Sequence, residues 1–197
     1  MSAFEIARTT SSVCWLVFIV YWLVTGLSNK KTVERPKLSD LLANRIPTVL
    51  GVWILFGDAW LASRRFRLFG HIPMLAHIPG VIWAGAALCL LGVAGAIWAR
   101  RTIGRNWSGE VVFKEKHELV ESGPYRFVRH PIYTSMLTMA LGTALTTGYP
   151  SAFMGVLLMG VGFWIKLRQE ERLMLRHFPA EYPEYMSRVK TLVPFVW

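Results

Sequence analysis

The chain has 197 residues, of which 53% are hydrophobic and 17% are charged; it contains nine tryptophans and carries a formal net charge of +10. A soluble domain carries about 25% charged residues, so this composition argues against an ordinary soluble protein. It favours a membrane protein, since Trp and Tyr are enriched where transmembrane helices meet water. The length suits one domain, and we treat 1–197 as a single membrane domain.

The excess of positive charge and the few metal-ligand residues limit the partners of the chain. On a soluble protein a net charge of +10 would suggest nucleic-acid binding. Beside apolar spans, basic loops instead meet anionic lipid head groups, so we expect membrane lipids and no nucleic acid. Cys14 and Cys89 are isolated in apolar runs, and His71 and His77 lack ligand partners at a useful spacing. We therefore predict no metal.

Apolar stretches divide the chain into five predicted transmembrane helices, at residues 12–27, 47–62, 79–99, 131–147 and 151–165. Backbone groups in lipid must be bonded within their own element, which favours helices, and alternating strand patterns are absent. The fold class is therefore an all-α, polytopic integral membrane protein. Gly148-Tyr149-Pro150 is a turn signal, and it predicts a tight antiparallel C-terminal hairpin at 131–165.

The basic residues predict the orientation of these helices. Lys and Arg concentrate between the first two spans, in 100–130 and in 166–197, whereas Arg8, Arg64, Arg65 and Arg67 fall on the other side. The positive-inside rule then places the N-terminus outside and the C-terminus in the cytoplasm. The two long polar segments, 100–130 and 166–197, are expected to share the cytoplasmic face.

The first polar segment ends at the mouth of the fourth span. Gly123-Pro124 marks a turn, and Pro131 suits the first position of a helix. Arg129 and His130 then stand where free backbone amides attract anions, and Arg129 adds a fork suited to a carboxylate. This predicts a site for the carboxylate end of an amino-acid-like ligand. The alternative, equally supported by the motif alone, is that both residues only anchor the helix at lipid head groups.

The second polar segment continues the fifth span, which we expect to stay helical through Arg176. Glu170 and Glu171 then lie just beyond the membrane boundary among basic residues, where a carboxylate could hold a ribose diol or an ammonium group. The alternative is a solvated helix face, because helix ends are usually charged. Asp58, near the outer end of the second span, fits simple placement at the interface.

Three pieces of sequence together resemble the isoprenylcysteine carboxyl methyltransferase family and its phospholipid N-methyltransferase relatives. They are GPYRFVRHPIY at 123–133, His117-Glu118-Leu119-Val120, and Glu170-Glu171 followed by Leu173, Phe178, Tyr182 and Tyr185. The resemblance covers about residue 100 to the end. Two positions depart from the family: Ser135 stands where Gly is frequent, and Phe178-Pro179 stands where Phe-Gly is frequent.

The resemblance implies a membrane-embedded helical enzyme that uses S-adenosylmethionine without a Rossmann domain. The apolar runs assign three N-terminal transmembrane helices to 1–99, and the resemblance assigns the cofactor-binding cytoplasmic segments, hairpin and tail to 100–197. It implies catalytic roles for Arg129, His130, Tyr133 and Glu170. The implied cofactor-binding residues are His117, Leu119, Val120, Gly123, Tyr125, Arg129, His130, Pro131, Tyr133, Glu170 and Glu171.

The function implied is methyl transfer from S-adenosylmethionine to a lipophilic acceptor, with an isoprenylcysteine-like carboxylate on a prenylated partner favoured. A lipid amine or a thiol is the alternative acceptor. An amine or phenol would need a general base, for which His130, Glu170 and Tyr133 are candidates. Two rival interpretations remain: a nicotinamide-dependent membrane reductase of the steroid reductase type, which lacks the R-H-P-x-Y form, and a non-enzymatic membrane protein.

Overall fold

A computed structural model describes residues 2–26, 32–34, 37–61, 78–104, 107, 113–114 and 119–194. Within them the chain forms six α-helices and two short strands. In chain order these are α1 (Ala3–Gly26), β1 (Thr32–Glu34), α2 (Leu38–Leu61), α3 (Pro79–Ile103), β2 (Phe113–Lys114), a 3-10 helix (Gly123–Arg126), α4 (Pro131–Thr147), α5 (Pro150–His177) and α6 (Glu181–Arg188). The predicted all-α class is confirmed, and the antiparallel pairing of β1 with β2 was not foreseen.

Helices α1, α2, α3 and α5 are long and apolar enough to cross a membrane. Large apolar side chains on their outer surfaces are more than 60% exposed, among them Leu16, Leu23, Leu91 and Leu157. Such a surface is stable only in contact with lipid. The fourth predicted span is α4, whose 17 residues stand at the short end of the range that spans a bilayer. The chain is therefore an integral, multi-pass membrane protein.

The second helix begins earlier than predicted, whereas the fifth extends as predicted. The second span was expected to start at Pro47, but α2 begins at Leu38 and contains Pro47. Proline removes the backbone donor that would bond the Ala43 carbonyl, and membrane helices tolerate such a loss. The prediction that the fifth span runs on through Arg176 is confirmed, since α5 ends at His177.

Small residues set which helices pack together. A Cβ atom on Gly142 of α4 would lie 2.5 Å from the carbonyl oxygen of Gly85 on α3. A Cβ atom on Gly51 of α2 would lie 2.6 Å from the carbonyl oxygen of Gly155 on α5. No side chain fits at such distances, so the backbones approach closely, as is common where membrane helices meet through small residues.

The predicted tight hairpin is therefore only partly right. The turn exists, with Gly148 in the left-handed conformation at φ 68°. However, α4 packs mainly on α3, and α5 packs mainly on α2, with a smaller contact between α4 and α5. The physical reason is that the small-residue positions of the two helices meet different partners.

The described parts of the two long polar segments meet at one end of the bundle, which we call the motif end. There α3 and α5 finish and α4 begins. The backbone N–H groups of Arg129 and His130 donate to the carbonyls of Lys190 at 2.8 Å and Thr191 at 3.1 Å. The Tyr185 hydroxyl donates to the Tyr125 carbonyl at 2.6 Å. The tail after α6 is thus bonded to the segment that leads into α4.

Candidate active site

The start of α4 is defined by proline. Pro131 occupies the first helical turn, and His130 caps the helix with non-helical dihedral angles, φ −124° and ψ 61°. The missing N–H of proline costs nothing at this position, and its fixed φ already suits the helix. The pair Arg129-His130 is thereby held at the mouth of α4, and Tyr133 follows in its first turn.

Arg129 is a buried cation that joins three parts of the chain. Its Nε and Nη2 donate to Glu171 Oε1 of α5 at 2.9 and 2.7 Å. Nη2 also donates to the Thr191 hydroxyl at 2.7 Å, and Nη1 donates to the Val189 carbonyl. The side chains of Arg129 and Glu171 are only 8% and 7% exposed. Since all three guanidinium nitrogens donate within the chain, Arg129 ties the tail and α5 to the start of α4.

His130 lies between the two glutamates. Its Nδ1 is 3.4 Å from Glu170 Oε2, and its Nε2 is 3.3 Å from Glu171 Oε1. Ionised carboxylates only accept hydrogen bonds, so both ring nitrogens are satisfied only when both carry protons. Burial lowers the pKa of His130, but hydrogen bonding to Glu170 and Glu171 outweighs it, and the pKa lies above its usual value. The geometry therefore favours an imidazolium.

Tyr133 connects the same cluster to the core. Its hydroxyl donates to Glu170 Oε1 at 2.5 Å. Its ring stacks on His130, with centroids 5.7 Å apart, and on Phe163 of α5, with centroids 5.0 Å apart. Glu170 thus faces both Tyr133 and His130. We call Arg129, His130, Tyr133, Glu170 and Glu171 the charged network.

Buried tyrosines line the neighbouring parts of the motif end. Burial raises the pKa of Tyr125 and that of Tyr182, so both phenols stay neutral. Leu119 packs against the cluster of Tyr182 and Tyr185, whereas Val120 packs against the cluster that contains Tyr125. An apolar, aromatic wall therefore adjoins the charged network.

Gly123 is required where the 3-10 helix meets α3. Its φ of +57° is a left-handed conformation that glycine adopts without strain. A Cβ atom at Gly123 would also lie 2.8 Å from the Thr102 hydroxyl. This glycine therefore lets the 3-10 helix approach the end of α3 and places Tyr125 in the core.

The structure brings most of the predicted site residues to the motif end. The charged network is in mutual contact, and Leu119, Val120, Gly123, Tyr125 and Pro131 lie in the segment beside it. His117 lies outside the described residues, as do His71, His77 and the side chain of Asp58. The predicted ligand-binding and catalytic roles stay predictions.

Two features of the site had no signal in the sequence. Thr191 and Val189 receive the Arg129 guanidinium, although neither belongs to a recognisable pattern. Gln169, directly before Glu170, accepts from Asn44 of α2 at 2.7 Å and donates to the Asp40 carbonyl at 2.9 Å. Helix α2 therefore holds the segment of α5 that carries both glutamates.

Within the described residues, no group of three or more His, Cys, Asp or Glu side chains is placed to hold a metal ion. The prediction of no metal stays a prediction, because His71, His77 and His117 are outside the described part.

The sequence profile of one protein family, described as phospholipid methyltransferase, matches residues 81–181, which is more than half of the chain. The chain belongs to the phospholipid methyltransferase family. The matched range runs from α3 through the charged network to the start of α6. The resemblance expected from the R-H-P-x-Y and Glu-Glu patterns is confirmed.

This member of the phospholipid methyltransferase family is similar to named proteins from several organisms. Protein-S-isoprenylcysteine O-methyltransferase of Xenopus laevis is 30% identical over 191 residues, covering 93% of this chain and 63% of the relative. The Saccharomyces cerevisiae protein of the same name is 33% identical over 115 residues, covering 57% of this chain and 48% of the relative. The nickel-cobalt-cadmium resistance protein NccN of Alcaligenes xylosoxydans is 32% identical over 147 residues, covering 70% and 68%.

The fold of this family member is similar to a solved structure. That structure is the eukaryotic intramembrane Ras methyltransferase, an isoprenylcysteine carboxyl methyltransferase, with a TM-score of 0.52 and 23% identity. The match covers 77% of this chain and 52% of the solved chain. At this identity the likeness concerns the fold alone.

Proposed function

We propose that this chain transfers a methyl group from S-adenosylmethionine to a lipophilic acceptor at the motif end. The observation that carries the proposal is the contact between the two patterned segments, in which Arg129 and His130 bind Glu171 across 42 and 41 residues of sequence. The predicted orientation, with the N-terminus outside, would expose this end to the cytoplasm.

The donor and acceptor chemistry of the charged network fits the cofactor. S-adenosylmethionine carries an ammonium, a carboxylate and a ribose diol, so its site needs both hydrogen-bond acceptors and cationic donors. Glu170 and Glu171 are the acceptors, and Arg129 and His130 are the cationic donors. We assign the ammonium or the ribose to Glu170 or Glu171, and the carboxylate to Arg129 and the amides near His130.

The existing contacts of Arg129 limit how a cofactor carboxylate can bind it. Its nitrogens donate to Glu171, Thr191 and the Val189 carbonyl, and the two amides donate to the tail. A ligand carboxylate reaches the guanidinium only by replacing one of these acceptors. The bonds to the tail are the ones to exchange, because Glu171 is the buried counter-charge of Arg129.

S-adenosylmethionine, when bound, supplies an electrophilic methyl group for an in-line displacement. Alignment of an acceptor can lower such a barrier by roughly 7–11 kcal/mol. The stacked rings of His130, Tyr133 and Phe163 form an aromatic wall beside Glu170. A carboxylate or thiolate acceptor needs no general base. For an amine or phenol, we propose Glu170 as the base. His130 is unsuited, because both of its ring nitrogens are already protonated and face the two glutamates.

The names of the relatives support a choice of acceptor class. Those from Xenopus laevis and Saccharomyces cerevisiae are named as methyltransferases of S-isoprenylcysteine, so we propose an isoprenylcysteine-like carboxylate on a prenylated partner. NccN is named for metal resistance, and its name specifies no methyl acceptor. We therefore keep lipophilic amines and thiols in the screen. Family membership favours methyl transfer over the reductase and non-enzymatic interpretations.

The test is methyl transfer from labelled S-adenosylmethionine by purified protein in nanodiscs, across a prenylcysteine carboxylate, a lipid amine and a lipophilic thiol. We expect the carboxylate to be labelled fastest. Glu170→Gln should slow transfer to the carboxylate by about 100-fold, because it removes a group that we assign to positioning the cofactor, and misplacement by about 1 Å can cost that much. The matched control is Glu184→Gln on α6, whose side chain is 73% exposed. Absence of both transfer and cofactor binding would refute the proposal.

A further inference from the structure

A second site lies on a neighbouring face of α5, beside the charged network. A cavity of about 310 Å³ is lined by Trp164, Arg168, Glu171, Arg172, Leu175 and Met186. Five of these residues follow α5 at helical spacing, and Met186 comes from α6. Glu170 and Tyr133, which we assign to methyl transfer, are absent from this lining.

An apolar stripe on α5 leads directly into this cavity. Met154, Leu157 and Val161 are 44%, 64% and 50% exposed, and with Trp164 they recur every three or four residues. Residues so spaced lie on one face of a helix. From Met154 to Trp164 the helix rises about 15 Å, which is half of a hydrocarbon core about 30 Å thick. The stripe has the length of one lipid leaflet and ends at a Trp, a residue enriched at the membrane interface.

The charge at the end of the stripe is positive. The Arg168 guanidinium carbon stands 4.4 Å from the Trp164 ring centroid, and Arg172 follows one turn later. Both arginines are exposed. Glu171 also lines the cavity, but Arg129 at 2.7 Å and His130 at 3.3 Å offset its charge. Arg168 and Arg172 therefore give the cavity a positive net charge. Arginine forks also match phosphate geometry.

We propose that this cavity binds the phosphate of an anionic phospholipid, with an acyl chain lying along the stripe. The order along α5, from apolar residues to Trp to arginines, matches the order of acyl chain, interface and phosphate in a lipid. The stripe favours a lipid over a free phosphate, because only a lipid has an acyl chain that can pack against it. This lipid is a bound ligand beside the active site, and its binding does not depend on methyl transfer.

The experiment measures lipid affinity of the full chain in a zwitterionic detergent by isothermal titration with short-chain phosphatidylglycerol or phosphatidylcholine. Phosphatidylglycerol should bind at least tenfold more tightly. The double variant Arg168→Gln/Arg172→Gln should weaken its binding by roughly tenfold, since each arginine near an anionic lipid adds attraction. Arg168→Lys/Arg172→Lys keeps the charges and loses the forks, so it should restore only part of the binding.

The matched control removes two other exposed arginines at the motif end, Arg45→Gln/Arg101→Gln, and should change affinity less than threefold. Leu157→Asn interrupts the stripe and keeps both arginines, so it should also weaken binding and tests the site if the double variant does not fold. Equal affinity for the two lipids would overturn the proposal. So would an unaltered double variant, or displacement of phosphatidylglycerol by inorganic phosphate.

Discussion

Two buried polar clusters join helices of this bundle, and they differ in charge and position. The first, within the spans, links α1, α3 and α4: Thr143 is 3.0 Å from Ser11 Oγ and accepts from Trp15 Nε1 at 2.9 Å, while Cys89 lies within 3.7 Å of Thr143. The second is the charged network at the motif end. One cluster is made only of neutral groups, and the other contains two cations and two anions.

The difference follows from the solvent around each cluster. An ionised side chain inside hydrocarbon is expensive, whereas neutral groups can share hydrogen bonds between helices at little cost. Charged groups persist where the helices end, with partners that balance them. We therefore expect the first cluster to affect stability alone and the second to affect both stability and activity.

The largest expected effect comes from removing the buried counter-charge of Arg129. Glu171→Ala should lower the free energy of unfolding by about 3–5 kcal/mol, because it leaves a buried guanidinium uncompensated. The measurement is denaturant-induced unfolding in detergent. Glu184→Ala, at an exposed position on α6, should stay within about 0.5 kcal/mol of the wild type. A Glu171→Ala variant as stable as that control would contradict the comparison.

A smaller effect is expected from Tyr133→Phe, which keeps the stacked ring and removes the hydroxyl that donates to Glu170. The initial rate of methyl transfer should fall about tenfold, which corresponds to about 1.4 kcal/mol in the barrier. The matched control is Thr138→Val, on the same helix. It removes a hydroxyl whose observed hydrogen bond is to the Thr134 carbonyl, so it should leave the rate nearly unchanged. Equal rates for both variants would argue against a role for Tyr133.

The charged network also predicts a pH dependence of stability through His130. Its pKa is raised in the folded state, so its contribution is fully present below the unfolded value of about 6.5 and is lost as the pH rises through the folded value. The free energy of unfolding of the wild type should therefore fall as the pH rises through the folded-state pKa of His130. In His130→Asn this fall should be much smaller. Unfolding curves measured between pH 6 and 9 test this, and parallel curves for the two proteins would contradict it.

The smallest effect is expected in the neutral cluster. Thr143→Val removes the hydroxyl to which Ser11 and Trp15 are both hydrogen-bonded. Interhelical hydrogen bonds in membranes contribute about 0.6 kcal/mol each on average, so losing these two should lower the free energy of unfolding by about 1 kcal/mol. Methyl transfer should stay within twofold of the wild type. A loss of activity comparable to that of Glu170→Gln would show that the two clusters are not separate in function.

Local signals in the sequence predicted much of this protein. The span 131–147 coincides with α4, because Pro131 and Gly148 punctuate an apolar run at both ends. The start of α2 was misplaced because Asp40, Asn44 and Arg45 precede the apolar run, so the helix begins before the run does. The R-H-P-x-Y and Glu-Glu patterns identified the two segments that meet, since their residue types are unusual beside apolar helices.

Contacts between distant residues could not be predicted in the same way. Asn44 and Gln169 are 125 positions apart, and Arg129 and Thr191 are 62 apart. No periodicity links such pairs, because their proximity results from the way α2 packs on α5 and the tail returns to α4. The acceptors of Arg129 could not be predicted for the same reason: folding brings them to its nitrogens, so a ligand carboxylate would have to replace one of them.

The amino-acid order alone established a helical membrane protein with two chemically distinct segments beside its last two spans. It did so because hydrophobic runs, prolines and glycines act over a few residues, within one turn or one helix. Only the folded chain decided that His130 stands between two glutamates and that α2 supports Glu170 through Gln169. Those relations arise from close helix packing at glycine contacts, where shape across distant elements, rather than local preference, selects the neighbours.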